Sequence, residues 1–560
     1  MKNIIVIDNL PLPRQEIDQE LREMCMEQTG VKLERCSEKP CILIGQDNAK
    51  LLITHESREI IDDELYVSKC ALGWTMHGKI EPRIKNNTGH VLNCQKVRAL
   101  TNVRSSRIDN EMHDIVKSYF DLDSIGITIN SNVNSNESRA LEIMEKTSRY
   151  TGDRWEIGLL WRKDDLTIPN SKPIALRLLK LLEKRLDRDE AYANLYYKEM
   201  QRLFECGYAE VVNDFEKEPK RCWYVPHFGV TNVNKPGKVR LVFDAAAKSG
   251  STSLNDLLLT GPDLLKTLLG VLMRFRQYAY AFSTDIRDMF MKINIISEDS
   301  DAQRFLWRGH DRKGEPKMCK MNVVLFGAKS SPSTAIFIKN KNARLFSSKY
   351  PDSCNKVINN CYMDDYLDSC KTAYEAQKRV KEVEIMIKHA GFPMHSWASN
   401  ADVVLQDVRN NVAEKHENLF KDPQKPEKVL GLRWLNTSDK LIFNVNFSKI
   451  PMELINGNKK PTKREFLALI MSIFDPLGFL IPVTIQARLI MQSIWSSGVK
   501  WDEVINQTEF ILWTKWLQEI ERIKSVQVNR CYQLLNSQLN EAELHVFCDA
   551  ISKAYGAVAY

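Results

Sequence analysis

Two adjacent aspartates, Asp364 and Asp365, lie within a stretch of strand-forming residues and constrain the fold more than any other feature of the chain. Such a pair is most often a solvated turn. Here, however, β-type residues precede it at 357–358 and follow it at 366–367. This context predicts a tight β-hairpin that holds two carboxylates side by side at its turn.

A third carboxylate is predicted to lie beside this hairpin. An apolar-rich strand at 278–284 is followed by Asp285, and the chain then turns away over 285–290. Adjacent strand ends would gather Asp285, Asp364 and Asp365 around one point, where unpaired carboxylates repel one another and take up protons. Divalent cations remove this repulsion, and hard oxygen ligands suit Mg²⁺. Two such ions about 3.5–4 Å apart stabilise the attacking and leaving oxygens of a phosphoryl displacement, so the cluster predicts metal-assisted phosphoryl transfer.

Composition sets the broad class of the protein. With 560 residues the chain is expected to form roughly three or four domains. Its net charge of +7 (79 basic minus 72 acidic residues) is too small to indicate nucleic-acid binding by itself. No apolar run approaches the roughly 20 residues that span a bilayer. The 13 cysteines include no Cys-x-x-Cys pair, which argues against zinc knuckles and a disulfide framework. We therefore expect an intracellular, cytoplasmic protein with no membrane partner.

The hydrophobic pattern changes along the chain and predicts an α+β fold. Short β-type runs occur at 41–45 and 50–53, a helix is expected to start near Ser138, and leucines recur at helical spacing after Pro173. Strands and amphipathic helices then alternate over 222–434. The predicted domains are 1–95, a connector at 96–172, and 173–435, 436–540 and 541–560.

The helix after the aspartate hairpin has the clearest local signals. Thr372 and Glu375 predict a capping box, and Gly391 suits the position just past the helix end. The predicted buried stripe of this helix consists of Tyr374, Val380, Val383 and Ile387.

Further motifs occur in a fixed order around the aspartates, at 285–290, 325–332, 362–365 and 429–434. In this order they resemble the first palm motif, the template-gripping motif, the catalytic hairpin and the primer grip of a reverse transcriptase. The chain resembles a polyprotein of the BEL/Pao class of LTR retrotransposons, and the polymerase resemblance covers residues 175–435. It implies a right-hand fold of fingers, palm and thumb with RNA-directed DNA polymerase activity.

The resemblance also implies roles for single residues. Asp285 and Asp364 would hold two Mg²⁺ ions, with Mn²⁺ as an alternative, and Asp365 would complete the catalytic and metal-binding triad. Phe290 falls at the steric-gate position, where a bulky ring excludes a ribose 2′-hydroxyl; an ordinary core aromatic is the alternative. The implied dNTP-binding set is Lys238, Arg240, Phe290, Phe326 and Gly327, and the implied primer grip is Leu430, Gly431 and Trp434.

The general acid of the reaction stays open at this point. Related enzymes usually carry a lysine immediately before Trp397, and this chain has Ser396 there. His395 and Lys388 are the remaining candidates for protonating the leaving pyrophosphate.

Template–primer affinity should come from basic side chains that neutralise phosphates. The candidates for this role are Lys459, Lys460, Lys463 and Arg464. An equal alternative is that these residues form a solvated run of charges without a binding role.

The flanking segments resemble incomplete neighbouring domains. Residues 41–48 and 72–78 are similar to the C-terminal part of a retropepsin-like protease, but the Asp-Thr/Ser-Gly triplet is absent from the chain. The segment from 461 resembles the region labelled Pao peptidase in this class, where a thumb or connection is the expected role. The segment from 543 resembles a truncated RNase H start with Asp549 as its first metal ligand. Neither protease nor RNase H activity is expected from this chain.

Two functions from different classes remain after the sequence alone. The first is a reverse transcriptase that uses dNTPs on an RNA or DNA template–primer, associates with other parts of the polyprotein, and works in a virus-like particle if the element is active. The alternative is a degenerate or domesticated retroelement fragment that binds nucleic acid without catalysis. The intact Asp285, Asp364 and Asp365 favour the first function, whereas Ser396 and the incomplete flanking domains favour the second.

Overall fold

The computed structural model describes residues 19–33, 54–61, 65–71, 73–78, 135–212, 219–232, 235–410, 425–443, 447, 450–532, 543–551 and 553–559. The chain divides into two compact units, residues 1–110 and 111–560. Both units contain helices and strands, which confirms the α+β class. Of the helices described, none combines the length and the apolar character needed to span a bilayer.

The first unit contains one helix and a three-stranded antiparallel sheet. Helix α1 spans Gln19–Thr29, and strands β1 (Glu56–Ile61), β2 (Leu65–Cys70) and β3 (Gly73–Gly78) pair in sequence order. A small apolar core holds them together; it consists of Cys25, Val31, Leu33, Ile60 and Val67. The β-type runs predicted at 41–45 and 50–53 lie outside the described residues, and the protease resemblance of this unit is not confirmed.

The second unit begins with helices and short strands that precede the aspartate motifs. The helices are α2 (Ser135–Thr147), α3 (Lys172–Arg188), α4 (Glu190–Glu205), α5 (Leu254–Leu257) and α6 (Leu268–Phe275). The strands are β4 (Arg149–Tyr150), β5 (Trp155–Ile157), β6 (Ala209–Val211), β7 (His227–Asn232), β8 (Lys235–Phe243), β9 (Lys248–Ser249) and β10 (Thr252–Ser253). Helix α2 confirms the helix expected near Ser138. Helix α3 buries Leu179, Leu182 and Leu186 at the predicted spacing.

Helix α4 packs on the hairpin of β7 and β8. Asp189 caps the helix by accepting a hydrogen bond from the backbone N–H of Tyr192. The Tyr192 hydroxyl donates to the carbonyl of Gly229 at 2.9 Å, and the Tyr196 hydroxyl is hydrogen-bonded to Nδ1 of His227. Burial lowers the pKa of His227 to about 4, so its ring is neutral at physiological pH. The helix and the hairpin therefore form one packed block.

The aspartate motifs lie in a run of alternating strands and helices. In chain order these are β11 (Tyr280–Ile286), the 3₁₀ helix Met289–Lys292, β12 (Asn294–Ile295), α7 (Ser297–Ser300), the 3₁₀ helix Asp301–Gln303, β13 (Arg304–Trp307), β14 (Lys317–Met321), α8 (Ser331–Arg344), α9 (Pro351–Asn359), β15 (Cys361–Tyr362), β16 (Asp365–Cys370), α10 (Ala373–His389), β17 (Met394–Ser399), the 3₁₀ helix Asp402–Leu405 and α11 (Gln406–Asn410). The central sheet is antiparallel, with the order β15–β16–β11–β17, and a second sheet has the order β13–β14–β6.

Helix α10 follows the aspartate hairpin and packs against the central sheet. Its predicted capping box, formed by Thr372 and Glu375, is confirmed, and Gly391 follows the helix end with a φ of +73°. Three of the four residues predicted for its buried stripe are buried, but Tyr374 is 75% exposed. That prediction was wrong for Tyr374 because the helical repeat of 3.6 residues places it on the face opposite Val383, and Ala376 is the first-turn residue that faces the core.

The remaining elements comprise another sheet, four helices and a final hairpin. They are β18 (Glu427–Val429), β19 (Leu432–Leu435), β20 (Lys440–Ile442), α12 (Met452–Ile455), α13 (Lys463–Met471), α14 (Ile481–Ser496), α15 (Gln507–Ile520), the 3₁₀ helix Glu521–Ser525, β21 (Gln527–Asn529), β22 (Val546–Ala550) and β23 (Tyr555–Ala559). The sheet and the helices pack around a second apolar core, to which α6, β11, β16 and β17 also contribute. The sheet order is β18–β19–β20–β21, and β22 and β23 pair only with each other among the described strands.

A buried arginine ties the end of this region to the central sheet. Arg530 has no solvent-exposed side-chain surface, and it forms a two-point ion pair with Asp439 at 2.6 and 2.8 Å. Its remaining N–H groups donate to the carbonyls of Phe275, Tyr278 and Ala279. Because a buried guanidinium is stable only when its donors are satisfied, these contacts fix β21 against the start of β11.

Candidate active site

The aspartate hairpin forms as the sequence predicts. Tyr362 of β15 pairs with Asp365 of β16, which leaves Met363 and Asp364 as the turn. Met363 has a φ of +55°, a value that two-residue hairpin turns require at their first position. The backbone N–H of Ile286 donates to the carbonyl of Asp364 at 2.8 Å. The tip of the hairpin is therefore anchored directly to the end of β11.

Asp285 lies directly opposite Asp365 in the pairing of β11 with β16. Opposed residues of an antiparallel pair project to the same face of the sheet, with Cβ atoms roughly 4.5–5.5 Å apart, and like charges at such positions are destabilising. Both side chains are partly buried, which limits screening by water. The strand register thus brings together two carboxylates that a cation would stabilise.

The pKa of Asp364 is sensitive to the charges and the burial of this cluster. Its side chain reaches solvent at the hairpin tip, but neighbouring protein atoms still remove part of the water around the carboxyl. This desolvation and the charge of Asp285 raise the pKa of Asp364, while a backbone hydrogen bond and the nearby Arg240 act in the opposite direction. The carboxylate is therefore less stable than an ordinary one, and a bound cation would reverse the effect.

Three of the five predicted nucleotide-binding residues are linked by contacts to one ring, that of Phe326. The rings of Phe290 and Phe326 meet edge to face with centroids 5.5 Å apart, and the Arg240 guanidinium lies 5.3 Å from the centre of the Phe326 ring. Arg240 is also the basic side chain that acts on Asp364. Lys238 lies two residues earlier on the same exposed face of β8. A cation, two aromatic rings and the acidic hairpin therefore surround one small volume.

Gly327 occupies a position that only glycine tolerates. Its φ is +131°, and a Cβ atom there would lie 2.4 Å from the backbone oxygen of Phe243, the last residue of β8. Such a contact cannot be relieved by a side-chain rotation, because the clashing atom is backbone. Gly327 therefore holds the segment before α8 close to the strand that carries Arg240.

The predicted primer grip is the hairpin of β18 and β19. Leu430 and Gly431 form its turn with φ values of +46° and +92°, the pattern of a type I′ turn. A Cβ on Gly431 would lie 2.4 Å from the Phe474 ring. Trp434 is fully buried, and its Nε1 donates to Asp439 at 2.9 Å. Trp434 thus supports the hairpin from beneath, whereas Leu430 and Gly431 stand at its tip.

The exposed face of this hairpin carries a pair of cations. Lys428 and Arg433 are directly opposite each other across β18 and β19, and both are exposed. Like charges at opposed positions are unfavourable in the free protein. An anion between or above the two side chains would remove this repulsion, and Lys428 lines the cleft that reaches the aspartates.

That cleft lies between the central sheet and β18 and is open to solvent. Its lining residues are Ser283, Thr284, Asp285, Asp365, Leu367, Ser396, Glu427, Lys428 and Val429. The acidic cluster and the predicted primer grip are therefore neighbours, although Asp285 and Glu427 are 142 positions apart in the chain (427 − 285).

Of the two candidates for general acid, His395 is the one that lies beside the aspartates. His395 pairs with Asp285 across β11 and β17, and its Nδ1 lies 3.8 Å from Oδ1 of Asp285. Ser396 has a φ of +62°, and its hydroxyl is hydrogen-bonded to the same Nδ1. Lys388 lies on the exposed side of the last turn of α10, where Glu384 is its charged neighbour.

The donor set fits hard divalent cations. In the described ranges, no three His, Cys, Asp or Glu side chains already converge at coordinating distance. Nevertheless, Asp285 and Asp365 are opposed on adjacent strands, and Asp364 is close enough to Asp285 for its pKa to respond. Carboxylate oxygens are the ligands that Mg²⁺ prefers. Asp285 and Asp364 would hold such ions, with Asp365 beside them.

Most of the basic residues considered for phosphate binding at 459–464 are engaged within the protein. Lys463 is buried, with its ammonium 4.0 Å from the centre of the Trp495 ring. Arg464 forms an ion pair with Asp502, and Lys459 forms one with Glu465. The prediction that Lys463 binds template–primer phosphates was wrong, because its side chain faces the core, where burial lowers its pKa.

Sequence reasoning missed residues that stabilise the site from outside it. Asp368 is fully buried under the hairpin, where its carboxylate accepts hydrogen bonds from Asn360, the Tyr366 hydroxyl and the backbone of Ser369. Burial raises its pKa despite the nearby Lys356 and Arg379. The sequence offered one signal for the burial of Asp368: it lies two positions after Tyr366, so both side chains project to the same face of β16. Many exposed strand carboxylates share such a spacing, so the signal does not identify a buried one.

Asp549, the predicted RNase H ligand, lies on the hairpin of β22 and β23. It pairs with Gly556, and the residues described in both strands are exposed. Its carboxylate accepts a hydrogen bond from the backbone of Ala550.

Two family profiles match the chain. The reverse transcriptase (RNA-dependent DNA polymerase) family matches residues 245–397, and the Pao retrotransposon-like RNaseH-like domain matches residues 462–560. The first range contains Asp285, Asp364 and Asp365. The second starts within the region for which we predicted a thumb or connection and extends over the β22–β23 hairpin. No curated protein matches the chain in sequence.

Solved structures of foamy viral proteins are similar to this chain at low identity. The foamy viral protease-reverse transcriptase in complex with dsDNA shares 15% identity, with 82% of this chain and 79% of that chain covered and a TM-score of 0.43. A form described as dRH, also in complex with double-stranded DNA, shares 15% identity over 83% of this chain and 68% of that chain, with a TM-score of 0.40. The two family profiles carry the assignment: the chain has a reverse transcriptase domain, which is an RNA-directed DNA polymerase, followed by a segment that matches the RNaseH-like domain of Pao retrotransposons, as expected of a fragment of a Pao-class retrotransposon polyprotein.

Proposed function

We propose that this reverse transcriptase joins dNTPs to a primer 3′-hydroxyl by two-metal nucleotidyl transfer at Asp285, Asp364 and Asp365. The observation that carries the proposal is the register that opposes Asp285 to Asp365 while the raised pKa of Asp364 responds to Asp285. When bound, two Mg²⁺ or Mn²⁺ ions would supply charge neutralisation at the attacking and leaving oxygens. Asp285 and Asp364 would ligate them, and Asp365 would support the cluster.

The nucleotide would lie between the acidic hairpin and the two rings. Arg240 offers a planar guanidinium for bidentate contact with the triphosphate, and Lys238 adds a second positive charge on the same face. Phe290, held edge to face against Phe326, would block a ribose 2′-hydroxyl. The close approach of Gly327 to β8 keeps these groups together. Catalysis would then consist of positioning and charge stabilisation without a covalent intermediate.

The template–primer would follow the cleft toward the β18–β19 hairpin. Leu430 and Gly431 at its tip, and Lys428 and Arg433 on its exposed face, are the groups available to a phosphate backbone. The foamy viral relatives were solved with double-stranded DNA. For this chain we propose an RNA or DNA template–primer, with dNTPs and other parts of the retroelement polyprotein as further partners.

The wider assignments are part of the same proposal. Residues 173–435 would form the fingers and palm of a right hand and residues 436–540 its thumb or connection. Residues 1–95 would be a protease remnant joined by the connector at 96–172, and 541–560 would contribute the start of an RNase H-like fold, with Asp549 at the position of its first metal ligand. The protein would act in the cytoplasm, within a virus-like particle if the element is active.

Primer extension tests the proposal. We expect the wild-type protein to extend oligo(dT) on an RNA template with Mg²⁺ and dTTP, and Asp364→Asn to bind the same duplex without extending it. Asp402→Asn is the matched control, since Asp402 is an 85% exposed aspartate away from the cleft. If the wild type binds the duplex but extends no primer, the catalytic proposal fails and nucleic-acid binding without catalysis remains.

A further inference from the structure

The turn that carries Phe290 has an unusual backbone. β11 ends at Ile286, and the 3₁₀ helix that contains Phe290 begins at Met289. Between them Asp288 adopts φ +53° and ψ +33°, the left-handed region that L-residues other than glycine rarely enter. The carbonyl of Asp288 accepts a hydrogen bond from the backbone N–H of Met291 at 2.8 Å. The position of Phe290 thus depends on keeping Asp288 in this conformation.

An arginine from a distant helix holds the Asp288 side chain. Nη1 of Arg202, in α4, donates to Oδ2 of Asp288 at 2.8 Å. The side chains are 30% and 25% exposed, respectively, so water only partly screens the ion pair. Arg202 also contacts Glu199 of its own helix at 3.1 Å. The contact with Asp288 joins residues 86 positions apart in the chain.

The start of this turn is held by backbone groups of the central sheet region. The N–H of Ile286 donates to the carbonyl of Asp364, and the N–H of Arg287 donates to the carbonyl of Pro393. These bonds fix the start of the turn beside the catalytic hairpin. They do not reach Asp288, where the chain changes direction toward Phe290. At that point Arg202 donates to the Asp288 carboxylate at 2.8 Å, and the neighbouring Arg287, which is 62% exposed, approaches the same oxygen only to 4.0 Å.

Helix α4 also supports the opposite wall of the nucleotide volume. Through Tyr192 and Tyr196 it is hydrogen-bonded to β7, the partner strand of β8. β8 carries Arg240, whose guanidinium lies over the ring that Phe290 meets edge to face. The same helix therefore positions the cationic wall through its tyrosines and the aromatic wall through Arg202.

We propose that Arg202 is a positioning residue for sugar selectivity, acting through Asp288 on the turn that places Phe290. The inference rests on the proposed role of Phe290 as the steric gate. Removing the ion pair leaves the left-handed Asp288 with only the exposed Arg287 of its own turn nearby, so the turn relaxes and Phe290 withdraws from the ribose position. Ribonucleotides then gain access that the native turn denies.

The test measures kcat/KM for dTTP and for UTP in primer extension with full-length protein. Arg202→Met, which keeps the aliphatic stem and removes the charge, is expected to lower the dTTP/UTP ratio about fivefold to tenfold, since small displacements of a positioned group have effects of at least this size. Asp288→Asn should act in the same direction, and Arg202→Lys should retain most of the selectivity. Glu199→Gln is the matched control: it removes the other partner of Arg202 and should leave the ratio within twofold of wild type.

Phe290→Ala separates failure of the inference from failure of the gate. If Phe290→Ala lowers the ratio while Arg202→Met and Asp288→Asn leave it within twofold of wild type, the gate stands and the positioning role is overturned. If Phe290→Ala leaves the ratio unchanged, the gate and the inference fall together. An equal fall of kcat/KM for both nucleotides in Arg202→Met, with the ratio preserved, would show a purely structural role and would also overturn the inference.

Discussion

Two antiparallel hairpins in this chain carry aspartates among strand-forming residues, but their surroundings differ. In β15–β16, the strand that bears Asp365 lies next to β11, whose Asp285 is directly opposite. In β22–β23, Asp549 faces Gly556, and the described residues of both strands are exposed. Both local sequences place an aspartate among strand-forming residues, so the local sequence does not distinguish the two hairpins. A catalytic constellation therefore requires a neighbouring strand in the right register as well as the hairpin itself.

Burial is the second difference between the hairpins. Tyr366 and Asp368 of the first are buried in the core of the unit, and desolvation together with Asp285 raises the pKa of Asp364. Phe547 and Tyr555 of the second are 61% and 65% exposed. A water-filled environment screens charge interactions and leaves carboxylates near their ordinary chemistry. The two hairpins should therefore respond differently to the same substitution.

The largest effect is expected from removing a carboxylate that a neighbouring strand positions. Asp285→Asn should reduce primer extension by at least about 10³-fold, since it deletes a predicted metal ligand and part of the charge that the reaction needs. Asp549→Asn, the same change on the exposed hairpin, should leave extension within twofold of wild type. Initial rates of oligo(dT) extension measure both. Equal losses in the two variants would contradict the distinction between the hairpins.

A glycine of the proposed nucleotide site and a glycine of the β22–β23 hairpin provide the next contrast. Gly327→Ala should lower the free energy of unfolding by about 1–3 kcal/mol and raise the KM for dNTP, because the new Cβ meets the backbone of Phe243 at a strained φ. Gly556→Ala should change the free energy of unfolding by less than about 0.5 kcal/mol, since nothing lies within 4 Å of the added atom. Urea titrations of both variants check this. A neutral Gly327→Ala would mean that the approach to β8 is not maintained in solution.

The cationic face of the β18–β19 hairpin should affect binding more than chemistry. The double variant Lys428→Gln/Arg433→Gln is expected to reduce the slope of log affinity against log salt by about one for each phosphate that is no longer neutralised. Fluorescence anisotropy with a labelled RNA–DNA duplex measures the slope. Lys459→Gln is the control, because Glu465 already pairs with this lysine. An unchanged slope in the double variant would remove the hairpin from the proposed primer path.

The smallest effect is expected in the pH dependence of thermal stability when Asp364 is replaced in the metal-free protein. A carboxyl whose folded pKa is raised binds protons more tightly in the folded state, so it lowers stability above its folded pKa and has no effect below its ordinary pKa. Metal-free Asp364→Asn should therefore melt about 1–2 °C above wild type at neutral pH. The difference should vanish as the pH falls through the range of ordinary carboxyl groups. Thermal melts across this range, with and without Mg²⁺, check the sign; a less stable variant at neutral pH would contradict the raised pKa of Asp364.

The sequence predicted those parts of the fold whose signals are local. The hairpin turn, the capping box at Thr372 and the helix near Ser138 depend on neighbouring residues, and the structure confirms them. The α+β class follows from hydrophobic periodicity in the same way. Tyr374 was assigned to the wrong face of its helix, although the helical repeat would have excluded it from the buried stripe. Lys463 was placed wrongly because its burial depends on Trp495 and Trp501, which lie farther along the chain.

The same limit applies to the site. Order and spacing of the motifs identify Asp285, Asp364 and Asp365, but not the register that opposes the first to the third. The contact of Arg202 with Asp288 crosses 86 residues, and Lys428 becomes notable only once β19 places Arg433 opposite it. Trp434 belongs to the predicted primer grip, yet its burial indicates an indirect contribution. Tertiary pairing, which the sequence does not display, decides each of these cases.

The most direct test of the central claim is to locate metal ions in the assembled site. Crystals of the protein with a template–primer, a dideoxy-terminated primer end and the matching dNTP would be soaked in Mn²⁺, and anomalous scattering would be collected. Two anomalous peaks about 3.5–4 Å apart, bounded by Asp285 and Asp364, are the predicted result. Anomalous density elsewhere, with neither aspartate in contact with a metal ion when nucleotide is bound, would contradict the account.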